Sequence, residues 1–236
     1  MDVRLTVIGS SPAWPNPGSA QSGYLVQGES SLLLDCGPGV LGRLRELELY
    51  PRSIAITHFH LDHWGDLVPW AWLNAFGPQE HRIECALWLP PGGQSQLDEF
   101  ASHWGNEGMF EHAFEVREFE PDVPFSTSGF EVEACRLPHY HVAAHGFRIR
   151  HGGRTLAYSG DSAPTEELAG LARGADLFLC EATLADPAAD GLPRGHLSAE
   201  EALAAADGPV LLTHRPVELP APDGVPVAHD GLVVEI

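Results

Sequence analysis

The sequence contains few basic residues. Its 236 residues include 13 basic residues, all of them arginine, against 33 aspartates and glutamates, which gives a formal net charge of −20 at pH 7. Proteins that bind long nucleic acids usually present a basic face, because contacts to phosphates supply most of the affinity. No basic group in this chain is denser than Arg43 with Arg45. The composition therefore argues against a long nucleic acid as partner, while a small anionic substrate stays open.

Long hydrophobic runs are also absent. The chain has no apolar span of about 18–20 residues, and its first residues lead directly into a strand-like run without the features of a secretory signal. The cysteines are far apart and form no C-x-x-C pair, as expected of reduced thiols in a core; they are Cys36, Cys85, Cys135 and Cys180. We therefore expect a cytoplasmic protein that makes no membrane contact.

The pattern of hydrophobic residues predicts many short strands and fewer helices. The strand candidates are residues 3–8, 24–27, 31–34, 54–57, 83–89, 130–137, 146–150, 155–158, 177–180, 210–213 and 232–236. The helix candidates are residues 40–47, 62–74, 164–172 and a segment that opens at Ser198, where Ser198 and Glu201 form a capping-box pattern. Residues 76–124 have the weakest pattern, and we interpret them as a variable cap over the site.

The order of these elements indicates the fold class. Early strands follow one another as hairpins, whereas later strands alternate with helices. This order predicts an α+β protein in which two mixed sheets pack face to face with helices outside. The length and the 44% of hydrophobic residues suit one core, and no internal repeat divides the chain. We therefore expect a single domain over residues 1–236.

A dense group of metal-binding residue types follows one strand candidate. The apolar run 54–57 leads into His58, His60, Asp62 and His63. The strand period puts His58 and His60 on one side of the chain, and a following helix would carry Asp62 and His63 in its first turn. Imidazole and carboxylate ligands of this kind suit zinc, manganese or iron. Three histidines and one aspartate within six residues therefore predict a metal site.

Three later strand candidates also end in possible ligands. His139 and His141 follow one of these strands, Asp161 follows another, and His214 follows a third. Each residue is a weak signal alone, since polar residues at strand ends often have structural roles. Together they supply the bridging carboxylate and the terminal imidazoles that the first group lacks.

These motifs resemble the metallo-β-lactamase-fold hydrolases. The matching segments are THFHLDHWGD at 57–66, SGD at 159–161 and LLTH at 211–214, with further similarity at 7–24, 33–39, 178–183 and 195–202. The EAT sequence followed by GHLS is similar to the phosphodiesterase branch, which includes tRNase Z and the bacterial atypical class II cyclic-nucleotide phosphodiesterases. The resemblance covers nearly the whole chain in order. It implies a single domain with a four-layer αββα sandwich.

The resemblance also implies a dinuclear metal site. The implied ligands are His58, His60 and His139 for the first ion, Asp62, His63 and His214 for the second, and Asp161 as a bridge between them. In the family the third histidine precedes the arginine of a G-[FYL]-R segment by about eight residues. Here Tyr140 has that spacing from Arg148, so His139 and His141 both stay open, and the preceding Leu-Pro favours His139.

The activity implied by the resemblance is metal-dependent hydrolysis of a small phosphodiester, such as a cyclic nucleotide. The implied cofactors are two divalent metal ions, zinc first, with manganese or iron as alternatives; about 3.5–4 Å apart, such ions share a bridging hydroxide nucleophile. Glu181 and His196 match a pair in which the histidine protonates the leaving oxygen, and with Asp62 they are the expected catalytic residues. Asp35 either supports the ligands or is an ordinary turn carboxylate.

Two alternative functions remain open. One is tRNA 3′-end processing, but that branch carries a basic arm rich in glycine and proline. Only twenty positions separate Asp161 from Glu181, and fifteen separate Glu181 from His196, so neither interval holds such an arm. The other alternative is a metal-bearing carrier without turnover, which an intact set of ligands and catalytic residues disfavours. A homodimer is an expectation from the resemblance alone.

Overall fold

The computed structural model describes residues 3–236, in which thirteen strands form two sheets. The first sheet of this described chain contains β1 (Arg4–Gly9), β2 (Gly23–Gln27), β3 (Ser31–Leu34), β4 (Ser53–Ala55), β5 (Ala86–Leu89), β6 (Glu115–Glu118) and β13 (Val233–Glu235), in the order β13-β1-β2-β3-β4-β5-β6. The second contains β7 (Phe125–Thr127), β8 (Phe130–His139), β9 (Val142–His151), β10 (Arg154–Tyr158), β11 (Leu177–Glu181) and β12 (Val210–Thr213), in the order β12-β11-β10-β9-β8-β7. Both sheets mix parallel and antiparallel pairs.

The helices are short. They are α1 (Val40–Glu46), α2 (Leu61–Trp64), α3 (Leu67–Phe76), α4 (Gly93–Ser102), α5 (Met109–Ala113), α6 (Glu166–Ala172) and α7 (Ala199–Ala205). The capping box expected at Ser198 is present at the start of α7, where Ser198 and Glu201 each accept a backbone N–H from the other residue. Among the helices of residues 3–236, none is long and apolar enough to cross a membrane.

Side-chain alternation along the strands divides the protein into layers. Leu32 and Leu34 of β3 pack between the sheets with Val132 of β8, whereas Leu33 packs on the opposite face with α1 and α3. On the outer face of the second sheet, Leu168 of α6 and Ala202 of α7 pack in a third cluster. The layers are therefore helix, sheet, sheet and helix, which confirms the predicted αββα sandwich.

The helix predicted over residues 62–74 is instead two helices, α2 and α3, separated at Gly65 and Asp66. The Asp66 carboxylate accepts the backbone N–H of Leu41 at 2.8 Å, and the Asp66 N–H donates to the carbonyl of Cys36 at 3.0 Å. The helix is therefore interrupted at Asp66, whose polar groups bind the start of α1 and the residues that follow β3.

The interpretation of residues 76–124 as a variable cap over the site is wrong. Strands β5 and β6 of this region extend the first sheet in parallel beyond β4, and α4 and α5 pack on its outer face. The Asn74 side chain connects the region to α3, because it bonds the backbone of Ile83 and of Ala113. Strand β6 has the sequence EVRE, and charged residues of this kind are typical of an exposed edge strand, so hydrophobic periodicity could not find it.

Candidate metal centre

The segment after β4 places four side chains at one edge of the sandwich. His60 has extended backbone angles and precedes α2, and the His63 N–H donates to the His60 carbonyl at 3.0 Å. Asp62 and His63 therefore lie in the first turn of α2, as the sequence predicts. His58, Asp62 and His63 are buried, whereas His60 is half-buried.

The first cluster consists of His58, His60, His139 and Asp161, whose potential ligand atoms all lie within 4.8 Å of one another. His139 Nε2 is 2.9 Å from His60 Nδ1 and 3.7 Å from Asp161 Oδ2. His139 Nδ1 donates to the carbonyl of Gly195 at 2.6 Å, which leaves Nε2 as the acceptor that faces the cluster. Burial lowers the pKa of His58, His60 and His139, so these imidazoles are neutral and can coordinate a cation.

The second cluster consists of Asp62, His63, Asp161 and His214. His214 Nε2 is 3.1 Å from Asp62 Oδ2, and His63 Nε2 is 3.3 Å from Asp161 Oδ2. Asp161 follows β10 and belongs to both clusters, whereas His214 directly follows β12. The ends of separate strands thus bring distant residues to the His58–His63 segment.

Unpaired polar atoms indicate that these clusters suit metal ions. Within residues 3–236, His58 Nε2, His63 Nε2 and Asp161 Oδ1 are buried and have no hydrogen-bond partner, which is costly unless another group binds them. Although burial lowers the pKa of His63, the carboxylates of Asp161, Asp35 and Asp62 raise it well above its usual value. A bound cation would offset this excess of negative charge. The imidazole and carboxylate donors fit divalent zinc, manganese or iron.

Asp35 contacts a residue of the second cluster. Its Oδ2 atom accepts His63 Nδ1–H at 2.7 Å and the Tyr158 hydroxyl at 2.7 Å, and its Oδ1 atom accepts the Thr57 N–H at 2.8 Å. Asp35 also has a left-handed backbone with φ 58°, as a turn residue does. The sequence left open whether Asp35 supports the ligands or is a turn carboxylate, and in the structure it does both. Tyr158 was missed, because a tyrosine at a strand end looks like any other packing residue.

A second set of contacts orients His214. The Thr183 hydroxyl is 2.8 Å from Glu181 Oε2 and 3.0 Å from His214 Nδ1, so it can donate to the carboxylate and accept from the imidazole. This arrangement leaves His214 Nε2 free of a proton on the side of the second cluster. Thr183 lies in the EAT motif, but a threonine there gives no signal of this contact in the sequence alone.

Glu181 and His196 form a hydrogen-bonded pair beside both clusters. His196 Nδ1 is 2.9 Å from Glu181 Oε1, and the same carboxylate accepts the Ser162 N–H at 2.9 Å. Burial lowers the pKa of His196, but the Glu181 carboxylate and its acidic neighbours outweigh this and raise the pKa to about 9. The His196 ring lies 5.0 Å from the His139 ring and 5.7 Å from the His214 ring. A protonated imidazole can therefore stand next to both candidate metal sites.

The two histidines left open by the sequence differ in position. The structure places His139 in the first cluster, where it is 1% exposed, whereas His141 is exposed in the β8–β9 turn and takes part in neither cluster. The other predicted ligands and both members of the Glu181–His196 pair lie together at this edge.

Replacing Asp35 with asparagine is expected to weaken zinc binding about 10–100-fold, because His63 loses the carboxylate that orients its imidazole. Tyr158→Phe should have a smaller effect in the same direction, since it removes one hydrogen bond to that carboxylate. Competition with a coloured chelator measures both affinities. Tyr24→Phe is the matched control, because the hydroxyl of this buried tyrosine bonds Thr213 instead of Asp35. Unchanged affinity in a folded Asp35→Asn protein would contradict this role.

Comparison with known proteins adds similarity in sequence and in fold. The family described as the beta-lactamase superfamily domain matches residues 31–209. An uncharacterized protein of Mycobacterium leprae is 34% identical over 223 residues, which cover 91% of this chain and 78% of that protein. The probable metallo-hydrolase YhfI of Bacillus subtilis is 29% identical over 226 residues, or 91% and 87% of the two chains. The crystal structure of YhfI matches all of both chains with a TM-score of 0.82 at 25% identity. Ribonuclease Z of Mycobacterium bovis is 26% identical over 195 residues, or 75% of this chain and 69% of the enzyme.

Proposed function

The chain belongs to the beta-lactamase superfamily, and we propose that this metallo-hydrolase is a phosphodiesterase that cleaves a small phosphodiester such as a cyclic nucleotide. The observation that carries the proposal is the Glu181–His196 pair beside two clusters of potential metal ligands. A carrier of metal ions needs the clusters alone, whereas a hydrolase that expels an alkoxide also needs a proton donor.

The proposed cofactors are two divalent metal ions, with zinc as the first candidate. His58, His60 and His139 would hold one ion, Asp62, His63 and His214 would hold the other, and Asp161 would bind both. Bound there, the ions would act as Lewis acids that lower the pKa of water and offset the negative charge of the phosphoryl group.

The proposed proton donor is His196. Its Nδ1 atom is bonded to Glu181, which is fully buried and is itself fixed by the N–H of Ser162. The carboxylate therefore orients the imidazole and favours its protonated form. In the proposed reaction His196 gives a proton to the departing ribose oxygen. Asp62, whose Oδ2 atom lies 3.1 Å from His214 Nε2, would hold the second ion together with that imidazole.

The proposed substrate is small because the chain offers little to bind a long RNA. The interval between Asp161 and Glu181 is occupied by α6, and the interval between Glu181 and His196 contains only a short 3₁₀ turn, Pro187–Ala189. The net charge of −20 would also repel a polyanion. The similarity to ribonuclease Z makes tRNA 3′-end cleavage the second candidate.

A substrate panel tests the proposal. The protein, loaded with zinc or with manganese, is assayed on cyclic nucleotides, precursor tRNA and generic carboxylic esters. We expect turnover of a cyclic nucleotide, its loss in His139→Ala and its retention in His141→Ala, since these histidines are two positions apart and only the first lies in a cluster. Cleavage of precursor tRNA without cleavage of cyclic nucleotides would establish the second candidate instead.

A further inference from the structure

We infer that Asp190 and Tyr140 form a clamp that positions His196 for proton donation. The inference rests on the proposed function of His196 and assigns a role to two residues outside the metal clusters and outside the Glu181–His196 pair. Asp190 and Tyr140 are positioning residues in this scheme, because they act on the reaction through His196.

Asp190 holds the backbone around His196. Its Oδ2 atom accepts the N–H of Gly195 at 2.9 Å and the N–H of His196 at 3.1 Å. Its Oδ1 atom accepts the N–H of Gly191 at 3.0 Å and the Tyr140 hydroxyl at 2.9 Å. Only 4% of the Asp190 side chain is exposed. A carboxylate that is buried and bonded to four donors fixes the geometry of those donors, because loss of any bond leaves charge unsatisfied.

Tyr140 contacts the same segment through its backbone and its ring. Its backbone N–H donates to the carbonyl of Arg194 at 3.1 Å, and its ring lies against Gly195, where any Cβ atom would overlap with it. Its ring centroid is 5.5 Å from that of His196, with the planes at 79°. Tyr140 has φ 47°, a left-handed conformation that is costly for a residue with a side chain. The two-residue turn between β8 and β9 accounts for this conformation, and Tyr140 lies in it beside the 190–196 segment.

The clamp also links the proton donor to a predicted metal ligand. The carbonyl of Gly195 accepts the Nδ1–H of His139 at 2.6 Å, so one segment fixes both His139 and His196. Glu181 holds the His196 ring, whereas Asp190 holds its backbone N–H. Arg194 donates to the His196 carbonyl at 3.1 Å. Displacement by about 1 Å can cost about 100-fold in rate, so both attachments matter for proton transfer.

Phosphodiesters that differ only in the leaving group test the clamp. The substrates are the p-nitrophenyl and the phenyl ester of thymidine 5′-phosphate, because p-nitrophenolate leaves without a proton and phenolate depends more on one. For Asp190→Asn we expect kcat on the phenyl ester to fall about 10–100-fold and kcat on the p-nitrophenyl ester to fall less than about 3-fold, with KM unchanged. Tyr140→Phe should show the same selectivity with a smaller loss.

Two matched controls separate positioning from general disorder. Asp186→Asn changes a carboxylate of the same loop that accepts the N–H of Ala188 and makes no bond to the His196 segment. Tyr50→Phe removes the hydroxyl of an exposed tyrosine. Both controls should behave as the unaltered protein. An equal loss on both esters in Asp190→Asn, no loss on either, or the same selectivity in Asp186→Asn would overturn the inference.

A readout without turnover distinguishes failure of the clamp from failure of the proposed function. In the zinc-loaded protein, the imidazole N–H that His196 donates to Glu181 should give a downfield proton NMR signal, assigned by its absence in His196→Gln. We expect Asp190→Asn to keep its zinc and to lose or broaden this signal. If the unaltered protein cleaves neither these esters nor cyclic nucleotides, the proposed function fails and the NMR signal alone decides the inference: its retention in Asp190→Asn overturns the clamp.

Discussion

Asp161→Asn is expected to remove bound metal and to reduce phosphodiester hydrolysis at least about 1000-fold. Asp161 is the carboxylate shared by both clusters, and its Oδ2 atom lies 3.3 Å from His63 Nε2 and 3.8 Å from His58 Nε2. An amide has similar size but no charge, so it cannot offset two cations. Since metal ions stabilise such transition states by several kcal/mol, and each 1.4 kcal/mol is about tenfold in rate, the loss should span about three decades.

Elemental analysis after gel filtration measures the number of bound metal ions per chain. Hydrolysis of the p-nitrophenyl ester of thymidine 5′-phosphate measures the loss in rate. Asp176→Asn is the control, because that carboxylate accepts the backbone N–H of Thr155 at 2.8 Å and lies at the opposite end of β10 from Asp161. We expect it to keep both metal and activity. A full complement of metal together with normal turnover in Asp161→Asn would show that the two clusters are not the catalytic centre.

His196→Gln is expected to retain metal and to reduce hydrolysis of the phenyl ester by about 10²–10⁴-fold, the usual contribution of a general acid. The p-nitrophenyl ester should be much less affected, since its leaving group departs without a proton. Glutamine can still bond to Glu181, so the buried carboxylate keeps a partner. Asp161→Asn should lose its metal, whereas His196→Gln should keep it. The metal content therefore distinguishes a metal ligand from a proton donor.

The control for His196→Gln is His141→Gln, which changes an exposed histidine near the same site. One outcome would reassign His196. The side chains of Glu181, His196 and His214 also lie within 4.8 Å of one another and could hold an ion. Loss of one metal ion from His196→Gln, with equal slowing of both esters, would therefore make His196 a ligand.

Much of the candidate site could be predicted from local sequence. The strand that ends before His58 and the helix that begins after His60 are visible as apolar periodicity followed by polar residues, and backbone geometry then sets where His58 to His63 lie. Asp161 and His214 were weak candidates singly. Together with the later histidines they supplied the ligand types that the first group lacks, and the resemblance then assigned each to an ion. The structure brings them together because β10 and β12 end at the same edge of the second sheet.

Other features could not be predicted because they depend on contacts between distant segments. Tyr158 and Asp190 act through hydrogen bonds to Asp35 and Tyr140, partners that are 123 and 50 positions away in the chain. The edge strand β6 has a charged sequence that gives no periodic signal. In each case the residue type is ordinary, and only its neighbour gives it a role.

The sequence by itself determined the layered αββα architecture and the metal-binding character of His58 to His63, because hydrophobic alternation and local spacing encode both. The tertiary structure decided which of His139 and His141 lies in the first cluster. Strand β8 ends at His139, which pairs with Val142 of β9, so Tyr140 and His141 form a two-residue hairpin turn. The left-handed backbone of Tyr140 then leaves His139 buried beside His60 and His141 in solvent. Sequence spacing could not distinguish the two histidines. Their positions depend on where the hairpin turns and on which distant residues then lie beside the end of β8.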